Sequence, residues 1–421
     1  MPPPPTLAAP GRLVKVRFLL GHAHGRGGAV RTTLNTANAL AERGHDVEIL
    51  SLLKGRPDPS YPIAESVRIR ILTPSRHLFA PGWTAPRRFL RRIARRLLER
   101  WPSRIFPPGD KWYGRVSRFT DVALKRYLRR QRGCVLIGTN PGLNIALAQL
   151  APPQAITIGQ EHLHLARRAA SRHRLIRAHY PALDGVVTLT ETDADAYRAL
   201  LPDTHIESIP NAVPHHTSLR HDPETERTQT AVAAGRLTPQ KGFDQLISAW
   251  ALVHQHHPDW RLNIYGSGPE QRHLQSMIDA HGLNETISQA GHVDDLPEIL
   301  RSAGLFVLSS RYEGFPMVLL EAMSCAVPVV AFDCPTGPSE LIHDRVTGRL
   351  VPAGETDELA AAISSLIEQP SHRTRFGQAA ASHAQTYDRD LIATRWENLF
   401  QRLHRTHENR RRPTSALDVP D

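Results

Sequence analysis

Cysteine is scarce in this chain of 421 residues: Cys134, Cys325 and Cys334 fit no zinc-binding spacing and cannot all pair. That usage predicts a reduced, cytosolic protein. Long apolar runs are missing too, since nowhere do about 18 consecutive apolar residues occur, which excludes a membrane-spanning helix. The opening "MPPPPTLAAPGR" lacks the charged start and apolar stretch of a signal peptide. Lysine is nearly absent. Only Lys15, Lys54, Lys111, Lys125 and Lys241 occur among 52 basic side chains, so arginine is the default cation and any lysine is informative. No nucleic-acid motif or aromatic–basic interleaving is present, so nucleic acid is not an expected partner.

What is present is enough apolar residue, 40%, for sizeable cores, in a chain long enough for two or three domains. The net charge of +11 is uneven: residues 87–100 hold seven arginines against one glutamate. Read as a helix, this stretch sets Phe89, Leu90, Ile93, Ala94, Leu97, Leu98 and Trp101 on one half. Arg87, Arg88, Arg91, Arg92, Arg95 and Arg96 fall mainly on the other. A basic amphipathic helix with an aromatic end suits an anionic bilayer surface; the alternative is a solvated helix packing its apolar half on its own domain.

Two halves repeat one pattern. "RLVKVRFLL" (12–20) reads as a buried strand, followed by a glycine-rich turn at 21–30, a helix at 31–44 and the strand "DVEILSL". That is the start of a doubly wound sheet. Apolar runs at 134–138, 155–159 and 185–190 continue it. Residues 55–115 are irregular, with a basic insertion at about 83–118. The pattern restarts with "TAVAAGRL" (230–237), "WRLNIYGSGPE" (260–270), "AGLFVLSS" (303–310) and "VPVVAFD" (327–333). The expected organisation is a tail over 1–11, a first domain over 12–205, a second over 206–385, a returning helix over 386–405 and a disordered tail over 406–421. The fold class is α/β, two facing Rossmann-like domains with a cleft lined by strand-end loops, where doubly wound sheets bind ligands.

The chemistry concentrates in the second half. In "GRLTPQKG", Arg236 and Lys241 flank a turn framed by Gly235 and Gly242, and two such cations can clamp adjacent phosphates. In "YGSGPE", Gly266 and Gly268 permit close backbone approach. In "RYEGFPMVLLEAM", Glu313 lies in a loop and Glu321 lies along the helix after it. Pro316 falls near the first helical position, where a missing N–H costs nothing. The free N–H groups of Gly314, Phe315 and Met317 would then face a ligand. A carboxylate can hold vicinal hydroxyls, so Glu321 suits a ribose. Glu313 suits a second sugar's hydroxyls or developing positive charge at its anomeric carbon.

Together these residues resemble the retaining glycosyltransferases of family 4 (glycosyl transferases group 1), with the GT-B fold and a C-terminal crossover helix. The resemblance runs through the glycine loop and Arg at 27–31, "SIPNAV", "GRLTPQKG", "YGSGPE", "GHVDDLPEIL" and "EGFPMVLLEAMSCAVPVVA". It implies that Arg236 and Lys241 bind a nucleotide diphosphate, that Glu313 faces the donor sugar, and that Glu321 faces the ribose. It further implies that the backbone at Gly27 and Gly28 touches the distal phosphate, that His162 of "GQEHLH" is an active-site histidine (with His164 its near neighbour), and that base contacts come from backbone near Gly266 and Val293. Glu161 joins His162 as a possible cleft residue, in a stretch that also resembles members acting on teichoic acid. Asn140 and Asn211 either line the cleft or serve turns.

No cofactor and no metal are expected, the cation pair standing where other transferases use Asp-x-Asp and a divalent ion. "DAD" (193–195) reads as helix capping and surface charge, and "HAH" (22–24) as loop histidines near phosphate. The expected activity is transfer from a nucleotide-sugar, a UDP-sugar favoured over GDP-mannose, to a lipid-linked or cell-envelope polymer such as teichoic acid. The expected place is peripheral, on the inner face of the cell membrane. Two other functions stay open: a soluble transferase acting on a small acceptor, and a non-catalytic nucleotide-sugar-binding protein.

Overall fold

Short runs rich in Val, Ile and Leu, buried on both faces, are what parallel strands between helical layers require. In the computed structural model they form two all-parallel sheets. The structure describes residues 13–25, 27–54, 58–73, 95–213 and 227–411. The first sheet comprises β1 (Lys15–Leu20), β2 (Asp46–Leu53), β3 (Arg68–Thr73), β4 (Val135–Gly138), β5 (Ile156–Gln160), β6 (Gly185–Thr188) and β7 (Ile206–Ser208), in the order β3-β2-β1-β4-β5-β6-β7. The second comprises β8 (Thr230–Ala234), β9 (Arg261–Tyr265), β10 (Ile287–Gly291), β11 (Leu305–Leu308), β12 (Val329–Asp333) and β13 (Arg349–Pro352), in the order β10-β9-β8-β11-β12-β13. In each sheet the order reverses beside the first strand of the half, the arrangement that opens a crevice at the strands' carboxyl ends.

The chain divides into two compact units, one running to Ile209 and resuming at Ile392, the other spanning Pro210–Leu391. Sequence beyond Ile392 belongs to the first unit because one stripe of the last helix is apolar. Ile392, Ala393, Trp396, Leu399, Phe400 and Leu403 are all buried, at the spacing of a single helix face. Polar contacts fix the same helix. Arg43 donates to Glu397 at 2.7 and 2.9 Å, His45 Nε2 meets Glu397 Oε1 at 2.9 Å, and Arg402 pairs with Glu207 at 2.5 Å.

Three element boundaries differ from the sequence reading. The helix expected at 31–44 runs over Gly28–Glu42, which makes Gly27 its N-cap and Gly28 its first residue. The last helix, expected at 386–405, spans Arg389–Arg411, because the 3-10 turn Gln385–Tyr387 precedes it and its polar end keeps helical hydrogen bonding beyond residue 405. Of the basic stretch, residues 95–100 are helical, whereas Arg87, Arg88, Arg91 and Arg92 lie outside the described residues. The tail at 1–11 also lies outside them.

Candidate active site

The carboxyl ends of the second unit's strands are stitched into one surface by their own backbones. After β8, Gly235 N donates to Tyr265 O at 2.9 Å and Leu237 N to Ser267 O at 3.1 Å, while after β9 Gly266 N donates to Gly291 O at 2.7 Å. The glycines of "YGSGPE" are explained by this crowding. A Cβ on Gly266 (φ +145°) would lie 1.8 Å from Gly235 O, and one on Gly268 would lie 2.1 Å from Leu237 O. The close approach expected of them is therefore filled by the chain's own carbonyls. The same bonds bring the loop of Val293, partly buried after β10, alongside Gly266.

The loops after β8 and β11 are joined more tightly still. Ser309 Oγ donates to Lys241 O at 3.0 Å, Arg311 N to Gln240 O at 2.8 Å, and Gln240 Nε2 to Tyr312 O at 3.0 Å. Arg311 grips Asp244 with both terminal nitrogens, at 2.8 and 2.5 Å, and its guanidinium holds that carboxyl below the usual range. Gly242 (φ +61°) is needed where these loops cross, since a Cβ there would stand 2.0 Å from Ser309 O. Sequence reasoning missed Gln240, Asp244, Ser309, Ser310 and Arg311.

The result is that Lys241 Nζ lies 2.5 Å from Glu313 Oε1, although 72 residues separate them. Ser310 Oγ donates to that same oxygen at 2.6 Å. Glu313 is 8% exposed, and its backbone is clamped by the loop after β12: its N–H donates to Pro335 O at 3.0 Å and its C=O accepts from Thr336 N at 3.1 Å. Arg236 is exposed and has no acidic partner among the described residues. Burial, reinforced by the charge of Glu313, pushes the Cys334 thiol up to about 12. Cys134 and Cys325 are likewise buried and inert, the former raised to about 11.

Pro316 is the N-cap of the helix Met317–Ser324, one residue earlier than expected. Its carbonyl accepts from Leu319 N and Leu320 N at 3.0 and 3.3 Å, and the Pro338 segment packs close by, with a Cβ on Gly337 falling 2.7 Å from Pro316 Cδ. The N–H groups of Gly314, Phe315 and Met317 have no acceptor among the described residues. They leave donors at a helix N-terminus, where anions are favoured. Glu321 is buried to 1% exposure, so it is no helix-surface charge.

The first unit holds the remaining candidates. Gly27 and Gly28 open onto free space, with nothing within 4 Å of a Cβ at either. His22 of the "HAH" element turns inward instead, its ring meeting Trp112 edge-on at 5.1 Å. After β5, Glu161 is buried in the interior of the first unit. Its carboxylate accepts from Asn144 Nδ2 at 3.0 Å, from Tyr180 and from Arg168, and burial raises its pKa despite those donors. His162 beside it is pushed down to about 4, first by burial and then by the Arg168 charge, and its Nε2 is buried with no hydrogen-bond partner among the described residues. His164 is committed elsewhere, its Nδ1 2.9 Å from Asp193 Oδ1.

One of these sequence readings is thereby corrected. Thr190 caps the helix Glu191–Leu200, so Asp193 is a buried anchor for the His164 loop and only Asp195 is surface charge. Asn140 is an N-cap, accepting from Leu143 N at 3.1 Å, the local role that was one of its two alternatives. Trp101 is 57% exposed yet already carries the Arg118 guanidinium 5.1 Å over its ring. Asn211 is buried at the start of the second unit. Among the described residues, no group of three His, Cys, Asp or Glu could hold a metal ion, and no helix is long and apolar enough to cross a membrane.

Comparison with known proteins gives this arrangement its family. Residues 26–217 match the family described as Glycosyltransferase Family 4, and residues 218–383 match Glycosyl transferases group 1. The chain is 35% identical over 413 residues to the exopolysaccharide phosphotransferase SCO2592 of Streptomyces coelicolor, covering 96% of this chain but 42% of that longer protein. It is 28% identical to the amylovoran biosynthesis glycosyltransferase AmsD of Erwinia amylovora over 92% of this chain and the whole of AmsD. A poly(ribitol-phosphate) alpha-N-acetylglucosaminyltransferase of Staphylococcus aureus is 29% identical over 52% of this chain and 44% of its own. Among solved structures, a mutant of S. aureus TarM in complex with fondaparinux, alpha-GlcNAc-glycerol and UDP superposes with a TM-score of 0.74 at 17% identity, over 92% of this chain and all of TarM. With two parallel Rossmann-like sheets and both family matches in register, the chain belongs to the family-4, group-1 glycosyltransferases of GT-B fold.

Proposed function

We propose that the chain is a retaining, metal-independent hexosyltransferase that moves a sugar from a nucleotide-sugar, a UDP-sugar before GDP-mannose, to a cell-envelope polymer or lipid-linked acceptor at the inner face of the cell membrane. The observation that carries the reading is the meeting of Lys241 and Glu313 at 2.5 Å. It sets a cation suited to a diphosphate against a carboxylate suited to a sugar.

In this reading Arg236 and Lys241 hold the diphosphate, aided by the donor N–H groups before Met317 and by the backbone at Gly28. Glu321 takes the ribose hydroxyls, and the loops at Gly266 and Val293 take the base. Glu313 stabilises positive charge at the anomeric carbon, and His162 offers its neutral Nε2 to the sugar. The acceptor oxygen attacks on the face the diphosphate leaves. The bond from anomeric carbon to diphosphate oxygen breaks, and the departing phosphate takes the acceptor's proton. The Arg–Lys pair supplies the charge stabilisation that a divalent ion supplies in other transferases.

The acceptor class draws on relatives named for exopolysaccharide, amylovoran and poly(ribitol-phosphate), and the membrane location on the basic stretch at 87–101, where Leu97 and Trp101 are 52% and 57% exposed. The test is transfer from UDP-sugars to a polyol-phosphate or exopolysaccharide acceptor, with the product's anomeric configuration read by NMR. An α product from an α donor supports the reading. An inverted product overturns retention, transfer to small acceptors alone replaces the polymer, and nucleotide release without any acceptor points to an epimerase.

A further inference from the structure

Asp121 is followed by no acidic residue until Glu161, yet Lys125, Arg126, Arg129, Arg130 and Arg132 fall within eight positions of each other. All five are exposed at the end of the helix Arg118–Leu128, and none has an acidic partner among the described residues. Uncompensated charge at this density raises the potential of the surface and repels itself. Arg126 and Arg130 are also walls of a groove. Its other side is β3, the last strand of the first sheet, and its lining comprises Arg70, Ile71, Leu72, Ala123, Tyr127 and Gln131 beside the two arginines.

Charged side chains commonly guard an edge strand against pairing, and that accounts for the arginines of β3 itself. Arg68 pairs with Asp46 at 2.6 Å. Arg70 lies 3.3 Å from Glu48 and 5.8 Å over the Tyr127 ring, while Tyr127 donates to Glu48 at 2.7 Å. It does not account for Arg126 and Arg130, which belong to the facing helix and its exit turn. The segment 74–94, which continues from β3, contains no Asp or Glu, so it supplies no counter-charge.

We infer that this groove is an anchoring site for an anionic, phosphodiester-linked polymer. The inference rests on the proposed envelope-polymer acceptor and places part of that acceptor's binding away from the sugar-transfer residues. The groove combines arginines with Ile71, Leu72, Ala123 and the Tyr127 ring, the two kinds of partner that the phosphates and the carbon chain of a polyol-phosphate need. Guanidinium is the side chain best matched to phosphate oxygens. A bilayer is the poorer occupant, because a flat interface is met by projecting apolar side chains, and the groove is concave. Of the large apolar side chains exposed in this unit, Val122 alone stands on the groove's helix, while Leu13, Leu97, Trp101 and Leu163 lie on other segments.

The test compares the full chain with Arg126→Gln/Arg130→Gln, two exposed changes that leave the clamp untouched. The probes are a glycerol-phosphate decamer, a neutral oligosaccharide of equal length and phosphatidylglycerol vesicles. Wild type should bind the decamer with an affinity that falls steeply with salt, and the variant should bind about tenfold more weakly. Both should keep the same melting temperature and the same response to UDP. Equal binding of the decamer by both proteins, equal binding of the neutral oligosaccharide, or a loss confined to vesicles would overturn the site. If neither protein responds to UDP while the decamer result stands, the donor reading fails and the groove survives.

Discussion

Lys241 and Glu313 stand 2.5 Å apart at the ends of two different strands, with Ser310 bonded to the same carboxylate oxygen. Each belongs to a loop that the other loop holds in place, so the charge pair and the backbone stitching are one construction. The pair is mostly shielded, at 17% and 8% side-chain exposure. The ammonium therefore has a counter-charge in place.

Replacing Glu313 with Gln keeps an oxygen for Lys241 and Ser310 but removes the charge proposed to act at the anomeric carbon. We expect folding to be preserved and donor KM to stay within about threefold, while kcat falls about 10²–10³-fold. Lys241→Ala behaves differently. It strands the shielded Glu313 carboxylate, so stability should fall by about 1–3 kcal/mol along with nucleotide affinity. Steady-state kinetics and chemical denaturation separate the two, and a Gln variant as active as wild type would remove Glu313 from the chemistry.

Gly242→Ala tests whether the stitching matters. The position has φ +61°, and the new Cβ would meet Ser309 O at 2.0 Å. The cost of strain plus displacement should be about 2–4 kcal/mol. Because the displaced carbonyl precedes the Glu313 loop, nucleotide binding should weaken even where the variant remains folded. Calorimetry of the variant against Gly282→Ala provides the control: that glycine also has positive φ but nothing within 4 Å of a Cβ.

The pH dependence follows from His162. Its folded pKa, about 4, lies below the unfolded value near 6.5, so below 6.5 the unfolded chain takes up a proton that the folded chain does not. Stability from this group is fully present above pH 6.5 and is lost as pH falls toward 4, by up to roughly 1.4 kcal/mol per pH unit. Glu161 opposes it, because its raised pKa favours the folded state as pH falls. Comparing wild type with His162→Gln isolates the histidine: the variant should lose less stability between pH 6.5 and 4.5. Identical slopes would mean the imidazole titrates normally.

Membrane docking by the basic stretch is an electrostatic claim. Co-sedimentation with phosphatidylglycerol vesicles should fall progressively as salt rises from about 50 to 300 mM, over which the Debye length shortens from about 14 to about 6 Å. Retention on neutral vesicles at equal strength would contradict it.

The central strands were legible because they are apolar on both faces, as in "CVLIG", "LFVLSS" and "VPVVAFD", each of which contains a strand here. Arg236, Lys241, Glu313 and Glu321 stood out because lysine is rare and because two glutamates flank a Gly-Phe-Pro turn. What was hidden depends on partners distant in sequence. Nothing near Asp244 announces Arg311, and nothing in "GQEH" reveals that Glu161 turns inward to Asn144, Tyr180 and Arg168 while His162 keeps a free nitrogen. The glycines of "YGSGPE" were visible as close-approach positions, but what approaches them is the backbone of Gly235 and Leu237.

The central claim is a diphosphate clamp, and a thermal-shift panel with UDP, GDP, ADP and their sugar conjugates tests it most directly, on wild type and on Arg236→Ala/Lys241→Ala. At about 100 times its dissociation constant, a bound nucleotide should add roughly 2.7 kcal/mol to wild-type stability. The account predicts a shift with one nucleotide, UDP before the others, that disappears in the double variant. A shift that persists undiminished in the double variant, or none with any nucleotide, would contradict it.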